Sequence, residues 1–357
     1  MARDVDVHVV LGEDGPLVAR LRGAGIEVEV MPLADAARDT RKDTVTATGV
    51  PLGAARATSA YVLALRRRIR ELRPDIVHTN SLKSAVYGGL AGRATGVPVL
   101  WHIRDRIATD YLPAAAVRMI RGAAGVLPTA VVTPSRTTMD TMPGRRPVIR
   151  AVVPDSVELP SVDVTDADSD ASAPRPFRVG MVGRLAEWKG QHIAIDAFAR
   201  AFPDGDAQLW LVGEAMFGES TYVDRLRRQI EALGLGDRIE LRGFRDDVWS
   251  ELAQLDVLVH ASISPEPFGQ VVLEGMAYGL PVIAAAPGGP AEIMVDQVDG
   301  LLVPAGSVDA LAEALRRLAS DAGLRARLGQ SARITAAQYT PVRTAAGLLS
   351  VYRRMVD

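Results

Sequence analysis

Apolar and polar positions alternate in two rhythms along the 357 residues. Short apolar runs bounded by Gly, Pro or Asp alternate with stretches whose apolar residues recur every three to four positions, the periods of buried strands and amphipathic helices. The first half predicts strands at Val5–Leu11, Ile26–Met31, Asp75–His78, Val97–His102 and Ala130–Thr133. Helices are predicted at Pro16–Ala24, Arg56–Leu72, Leu82–Thr95 and Pro113–Leu127, with Pro74 ending the second of these. Asp35–Gly53 is polar and reads as a long loop. Strands separated by helices of this length imply crossover connections and parallel sheets.

Ser161–Arg175, rich in Asp, Ser and Pro, breaks the rhythm and reads as a linker. The pattern then resumes, with strands predicted at Phe177–Val182, Gln208–Val212, Arg238–Arg242, Val257–His260, Val282–Ala285 and Gly300–Val303, and a helical tail from Val308. The expected fold is α/β: two Rossmann-like doubly wound domains, residues 1–160 and 176–340, joined by the 161–175 linker. A terminal helix, 341–357, is expected to pack back on the first domain. Ligands of such sheets sit beyond the carboxyl ends of the strands, so two such domains would face a cleft.

Composition narrows the function. A hydrophobic fraction of 48% supports substantial cores, and a formal net charge of −2 argues against nucleic acid as a partner. The absence of cysteine excludes disulfides and thiolate metal sites. No apolar run reaches the roughly 18 residues of a membrane span, and Met1–Val10 lacks a signal-peptide layout, so a cytoplasmic location is expected. No G-x-G-x-x-G and no G-x-S-x-G occurs; Gly213 to Gly218 has P-loop-like spacing, but Glu219 stands where a lysine is needed. The five histidines are scattered, and no metal site is expected. Of 41 basic residues only Lys42, Lys83 and Lys189 are lysine, against a coding bias toward arginine.

Two stretches carry candidate chemistry. In Phe177-Arg-Val-Gly-Met-Val-Gly-Arg184-Leu-Ala-Glu-Trp-Lys189-Gly190 a strand runs into a glycine turn, where Gly183 permits close backbone approach and Arg184 and Lys189 can neutralise a diphosphate. A glycine turn with two solvated charges is the plainer reading of that stretch alone. In Pro265-Glu266-Pro-Phe268-Gly269-Gln270-Val271-Val-Leu-Glu274 a helix is expected from about Gly269, its free N–H groups suited to phosphate. Gln270 and Glu274 share one helix face, from which a carboxylate can hold ribose hydroxyls. Glu266, in the preceding loop, can reach a sugar; alternatively, Glu274 only complements the helix dipole and Glu266 is an exposed charge.

Together, Gly183-Arg184-Leu185…Lys189-Gly190, Phe268-Gly269 within Glu266-x7-Glu274, and Pro287-Gly-Gly-Pro-Ala-Glu292-Ile293…Asp299-Gly-Leu-Leu-Val-Pro304 resemble the family-4 retaining glycosyltransferases of the GT-B fold. The resemblance implies transfer from a nucleotide-diphosphate sugar, which is a substrate and not a cofactor, without a metal. Arg184 and Lys189 would bind the diphosphate, Glu274 the ribose and Glu266 the transferred sugar, with backbone around Gly269, Gln270 and Val271 on the distal phosphate. Arg242-Gly243-Phe244-Arg245 resembles the turn that contacts the nucleobase.

The acceptor, expected to be a sugar, a lipid-linked sugar or a small molecule, would lie on the first domain. Val99-Leu-Trp-His102-Ile-Arg104 ends a strand, and by the resemblance His102 is the histidine beside the transferred sugar; a hydrogen-bonded structural histidine is the other reading. Asn80, Lys83 and Arg104 are further acceptor-side candidates. Arg3 to Pro16 resembles the family's second strand and its continuation, so the resemblance implies a preceding strand, glycine-rich loop and helix of about 30–40 residues that the chain does not contain. The Arg66-Arg67-Arg68 cluster with Arg70 raises peripheral contact with the inner membrane surface, against a simple solvated helix face. Within the same fold, a sugar-nucleotide epimerase and a binding protein without turnover are the alternatives.

Overall fold

The computed structural model describes residues 5–33, 52–142, 144, 149–158, 175–216 and 218–357, with side chains from residue 56 onward in the helix that begins at Leu52. The expected loop 35–53 and linker 161–175 thus lie outside the described residues except for Leu52, Gly53 and Arg175. The chain forms two compact units, Met1–Val153 with Thr344–Asp357, and Pro154–Arg343.

In the first unit β1 (His8–Leu11) and β2 (Glu27–Val30) form a parallel pair. A separate parallel sheet has the order β3 (Val77–Thr79), β4 (Val99–His102), β5 (Ala130–Thr133), β6 (Ile149–Val152). Helix Leu82–Thr95 has the predicted bounds because Ser81 caps it reciprocally with Ser84 and Gly96 ends it in a left-handed conformation. β6 escaped the hydrophobic pattern because Arg150 interrupts it; that side chain donates to the carbonyls of Met139 and Met142. Successive residues of β4 point to opposite faces. Val99 and Trp101 join a core with helix Ala114–Ala124, while Leu100 meets Val132 and the C-terminal helix (Pro341–Val356) through Leu348, Val351 and Met355.

The second unit is built on a six-stranded parallel sheet of order β12-β11-β10-β7-β8-β9. Its strands are β7 (Arg178–Val182), β8 (Gln208–Val212), β9 (Ile239–Gly243), β10 (Val257–His260), β11 (Val282–Ala286) and β12 (Leu301–Pro304). Leu209 and Leu211 enter one core with helices Gln191–Ala201, Ser220–Ala232 and Val308–Ser320; Trp210 and Val212 enter the other with helices Gln270–Tyr278 and Ala322–Ala336. Both faces are covered, which is why β10 is apolar at three of its four positions and buried throughout. The winding proceeds from β7 to β8 and β9, then returns to the other side of β7 as β10. The reversal opens a crevice beyond the carboxyl ends of β7 and β10, where ligands of doubly wound sheets bind.

Candidate active site

Glycines press the loops after β7, β8 and β10 together. After β8, Gly213 approaches so closely that a Cβ there would lie 2.2 Å from the Gly183 carbonyl oxygen, while Gly183 itself takes φ +145°. The chain then passes Arg184 and a short 3-10 turn, Glu187–Lys189, and reaches Gly190 at φ +80°. Trp188 there accepts a 2.9 Å backbone hydrogen bond from Ile263 in the loop after β10. This contact joins the end of β7 to the end of β10 and carries Lys189 to Glu266. Lys189 Nζ lies 2.8 and 3.0 Å from the two Glu266 oxygens.

Glu266 is enclosed on other sides too. The Ser262 hydroxyl donates to Oε2 at 2.9 Å, and His260 Nε2 lies 3.2 Å from the same oxygen. The carbonyl of Glu266 accepts from the Gly289 N–H at 2.8 Å, so the Pro287-Gly288-Gly289 loop holds the glutamate's backbone. Burial pushes the Glu266 carboxyl up, but hydrogen bonds and charge from His260 and Lys189 outweigh it and hold the group down at about 2. Its ordinary value is 4.5, so this carboxylate stabilises the fold fully above pH 4.5, and the contribution is lost as pH falls toward 2. Acid unfolding should therefore steepen within that window, and Glu266→Gln should flatten that part of the stability profile; an unchanged profile in a folded variant would contradict the assignment.

Arg184 Nε lies 3.4 Å from Glu219, and its guanidinium carbon is 5.8 Å from the Trp188 ring centroid. Lys189 Nζ lies 4.3 Å from the same ring, so one indole supports both cations. The Arg184 carbonyl accepts from the Gln191 side chain at 2.9 Å. Gln191 is buried and in turn accepts from the Tyr222 hydroxyl at 3.2 Å. Gln191, Tyr222, His260 and Ser262 are site residues that sequence reasoning missed. No motif flags them; the available signal was the position of Gln191 in the connection after β7 and of His260 and Ser262 at the end of β10, while Tyr222, in the helix after β8, had none.

Helix Gln270–Tyr278 starts at Gly269, in the left-handed region and without a side-chain cap. Its first N–H groups, including those of Gln270 and Val271, have no partner within the helix. Phe268, buried, anchors the turn beside Tyr339. Burial raises the Glu274 carboxyl, opposed by the Gln270 amide, which donates to it at 3.4 Å. A half-buried carboxylate with one long hydrogen bond among the described residues has capacity to accept more donors.

In the nucleobase-turn candidate the arginine has partners within the fold. Arg242 donates to Glu251 at 2.7 and 3.3 Å and to Glu240 at 3.0 Å, and stacks 4.0 Å over Trp210. Its charge is matched locally, so Gly243 and Phe244, the latter 62% exposed, form the open surface of the turn.

In the first unit His102 is buried at the end of β4, its Nδ1 3.3 Å from Nε2 of His78. Asn80 accepts from Arg104 Nε at 3.0 Å, both on the surface, and Lys83 is exposed on the first turn of its helix. Within the basic cluster Arg67 pairs with Glu71 at 2.9 Å, and Arg68 with Glu29 at 2.6 Å and Glu71 at 3.2 Å, which weakens the positive field of that face. Among the described residues no helix is long and apolar enough to cross a membrane, and no group of three or more His, Cys, Asp or Glu could hold a metal ion.

Comparisons with known proteins agree with this architecture. Residues 165–335 match the glycosyl transferases group 1 family, and residues 1–155 the glycosyl transferase 4-like domain. The lipopolysaccharide core biosynthesis glycosyltransferase LpsE of Rhizobium meliloti is 37% identical over 170 residues, 48% of this chain and 46% of that protein. The chain thus aligns with about half the length of that relative. A D-inositol 3-phosphate glycosyltransferase of Acidothermus cellulolyticus is 30% identical over 306 residues, 78% of this chain and 67% of the relative. The crystal structure of Anabaena Alr3699/HepE in complex with UDP and glucose superposes with a TM-score of 0.79 at 26% identity, covering 97% of this chain and 90% of that one. Two family matches in chain order, a relative aligned across two thirds of its own length and a shared fold show that the chain belongs to the family-4 glycosyltransferases of the GT-B fold, the glycosyl transferases group 1.

Proposed function

We propose that the chain transfers a glycosyl group from a nucleoside-diphosphate sugar to an acceptor hydroxyl, with retention of the anomeric configuration. The observation that carries this reading is the Lys189–Glu266 pair, set with Arg184 at the reversal of strand order. As the bond between the anomeric carbon and the phosphate oxygen breaks, its electron pair stays on the diphosphate. Arg184, Lys189 and the uncapped helix start at Gly269 are the groups that stabilise that charge, in the role a metal ion plays elsewhere. The acceptor oxygen bonds to the anomeric carbon on the face the diphosphate leaves, and its proton passes to the departing phosphate. Glu266 orients sugar hydroxyls, and Glu274 the ribose.

Alr3699/HepE binds UDP and glucose, so UDP-glucose is the first donor to test. Incubation with a panel of UDP-, ADP- and GDP-sugars and sugar, lipid-linked and small-molecule acceptors should release nucleoside diphosphate, unaffected by EDTA. NMR of the product should show the anomeric configuration of the donor. Binding without release on every donor and acceptor would overturn transfer and leave a nucleotide-sugar-binding protein. Glu274→Ala should weaken binding of the accepted nucleotide about tenfold, the cost of a charged hydrogen-bond acceptor, with little change in kcat. Calorimetric titration with the free nucleoside diphosphate measures it.

A further inference from the structure

His78, in β3, and His102, at the end of β4, lie on the sheet face that the C-terminal helix covers. The helix contributes Tyr352, whose hydroxyl is hydrogen-bonded to His78 Nδ1. His78 Nε2 lies 3.3 Å from His102 Nδ1, and the two rings are tilted by 32°. His102 is 2% exposed, and its remaining nitrogen, Nε2, is buried without a hydrogen-bond partner among the described residues. Three groups thus stand in one line that ends on an unpartnered buried nitrogen.

Burial, reinforced by Arg104, holds His78 at about 4; burial, with Arg104 and then His78, holds His102 at about 3. Both rings are therefore neutral near pH 7, and each carries one N–H and one lone pair. The line then has only two polarities. In one, the Tyr352 hydroxyl donates to His78 Nδ1, His78 Nε2–H donates to His102 Nδ1, and His102 holds its hydrogen on Nε2. In the other each bond reverses, and His102 Nε2 is a lone pair. Burial pushes the Tyr352 phenol up to about 12, so it keeps its proton. In the reversed polarity that proton needs a second acceptor, and Tyr352 has no other hydrogen-bond partner among the described residues. The first polarity uses the phenol proton directly.

We propose that Tyr352 is a positioning residue that polarises this line through His78, so that His102 offers an Nε2–H donor, not a lone pair, to an oxygen of a ligand held by this first unit. A buried N–H without a partner is costly, and a ligand oxygen would supply the missing acceptor. That this ligand takes part in glycosyl transfer rests on the function proposed above; the polarity does not.

The test is two-bond proton–nitrogen NMR on the full chain labelled with 15N-histidine, with His78→Gln and His102→Gln spectra assigning the signals. Both rings should be neutral, protonated on Nε2 and bare on Nδ1. A His102 ring protonated on Nδ1 in the unmodified protein overturns the proposal without recourse to any variant. Tyr352→Phe keeps the ring in place but removes the donor, and should move His102 to an average of two tautomers. An unchanged His102 spectrum in that variant also overturns it, because a merely structural role would lower Tm and leave the tautomer alone. With an accepted donor, Tyr352→Phe should lower kcat about fivefold and leave KM nearly unchanged, the worth of one neutral hydrogen bond. If no sugar nucleotide is turned over, the proposed function fails while the spectra still decide the polarity.

Discussion

Lys189→Ala should lower kcat by about 10²–10³-fold, the loss seen when one preorganised stabiliser of a developing charge is removed. Lys189 has two partners in prospect. In the structure it neutralises Glu266, and both side chains are largely out of water, at 18% and 11% exposure. On donor binding the same ammonium would meet the diphosphate. Removing it deletes a cation from the phosphate site and leaves the Glu266 carboxylate, among the described residues, with His260 and Ser262. The second loss costs stability, about 3 kcal/mol or less given the residual exposure of both groups. The two effects separate in the double variant Lys189→Ala with Glu266→Gln. A neutral amide no longer needs a cation, so Tm should recover, while kcat should lie well below that of Glu266→Gln alone. Lys189→Arg should restore turnover only in part, because a planar fork does not reproduce a compact point charge. Thermal melts report the structural share and steady-state kinetics the catalytic one. Near-normal kcat in a folded Lys189→Ala protein would sink the assignment of Lys189 to the leaving group.

What could be read from the sequence follows the range over which each feature is encoded. Strands β5, β8 and β10 and helix Leu82–Thr95 have their predicted bounds, since local apolar runs and a local capping box define them. β6 was invisible because Arg150 breaks its run, and helices of four or five residues, such as Pro290–Ile293 and Val248–Leu252, are too short to show a period. At the site, the Gly183-Arg184 turn, Lys189 and the paired glutamates were legible as motifs. Their pairing was not, because Lys189 and Glu266 are 77 positions apart and meet only once β10 lies beside β7. The same holds for Gln191 and Tyr222, 31 apart, and for His78 and Tyr352, 274 apart. Arg242 shows the converse: a motif position whose side chain is engaged by a buried glutamate, Glu251, that no local pattern reveals.

Gly190→Ala should cost at least about 3 kcal/mol and lower turnover by about 10²-fold, although the added group is a single uncharged methyl. Two penalties combine at this position. Gly190 has φ +80°, which an L-residue adopts only with strain. A Cβ there would also lie 2.0 Å from the Ala261 carbonyl oxygen and 2.9 Å from its carbon, both backbone atoms that cannot rotate away. To make room the end of β7 must separate from the loop after β10, and the Ile263-to-Trp188 hydrogen bond lies across that seam. Lys189 immediately precedes Gly190, and Glu266 follows Ile263 by three residues, so the separation acts on the ion pair itself. A displacement of about 1 Å at such a site is enough for a hundredfold loss. Gly205→Ala supplies the control, because Gly205 has φ +94° but nothing within 4 Å of its would-be Cβ. It should show the backbone strain alone, about 1 kcal/mol, with turnover unchanged. If the two variants proved equally mild in Tm and kcat, close approach at Gly190 would have no part in setting Lys189 against Glu266. If Gly190→Ala alone lost turnover while Lys189→Ala did not, the seam would matter for a reason other than the cation it carries.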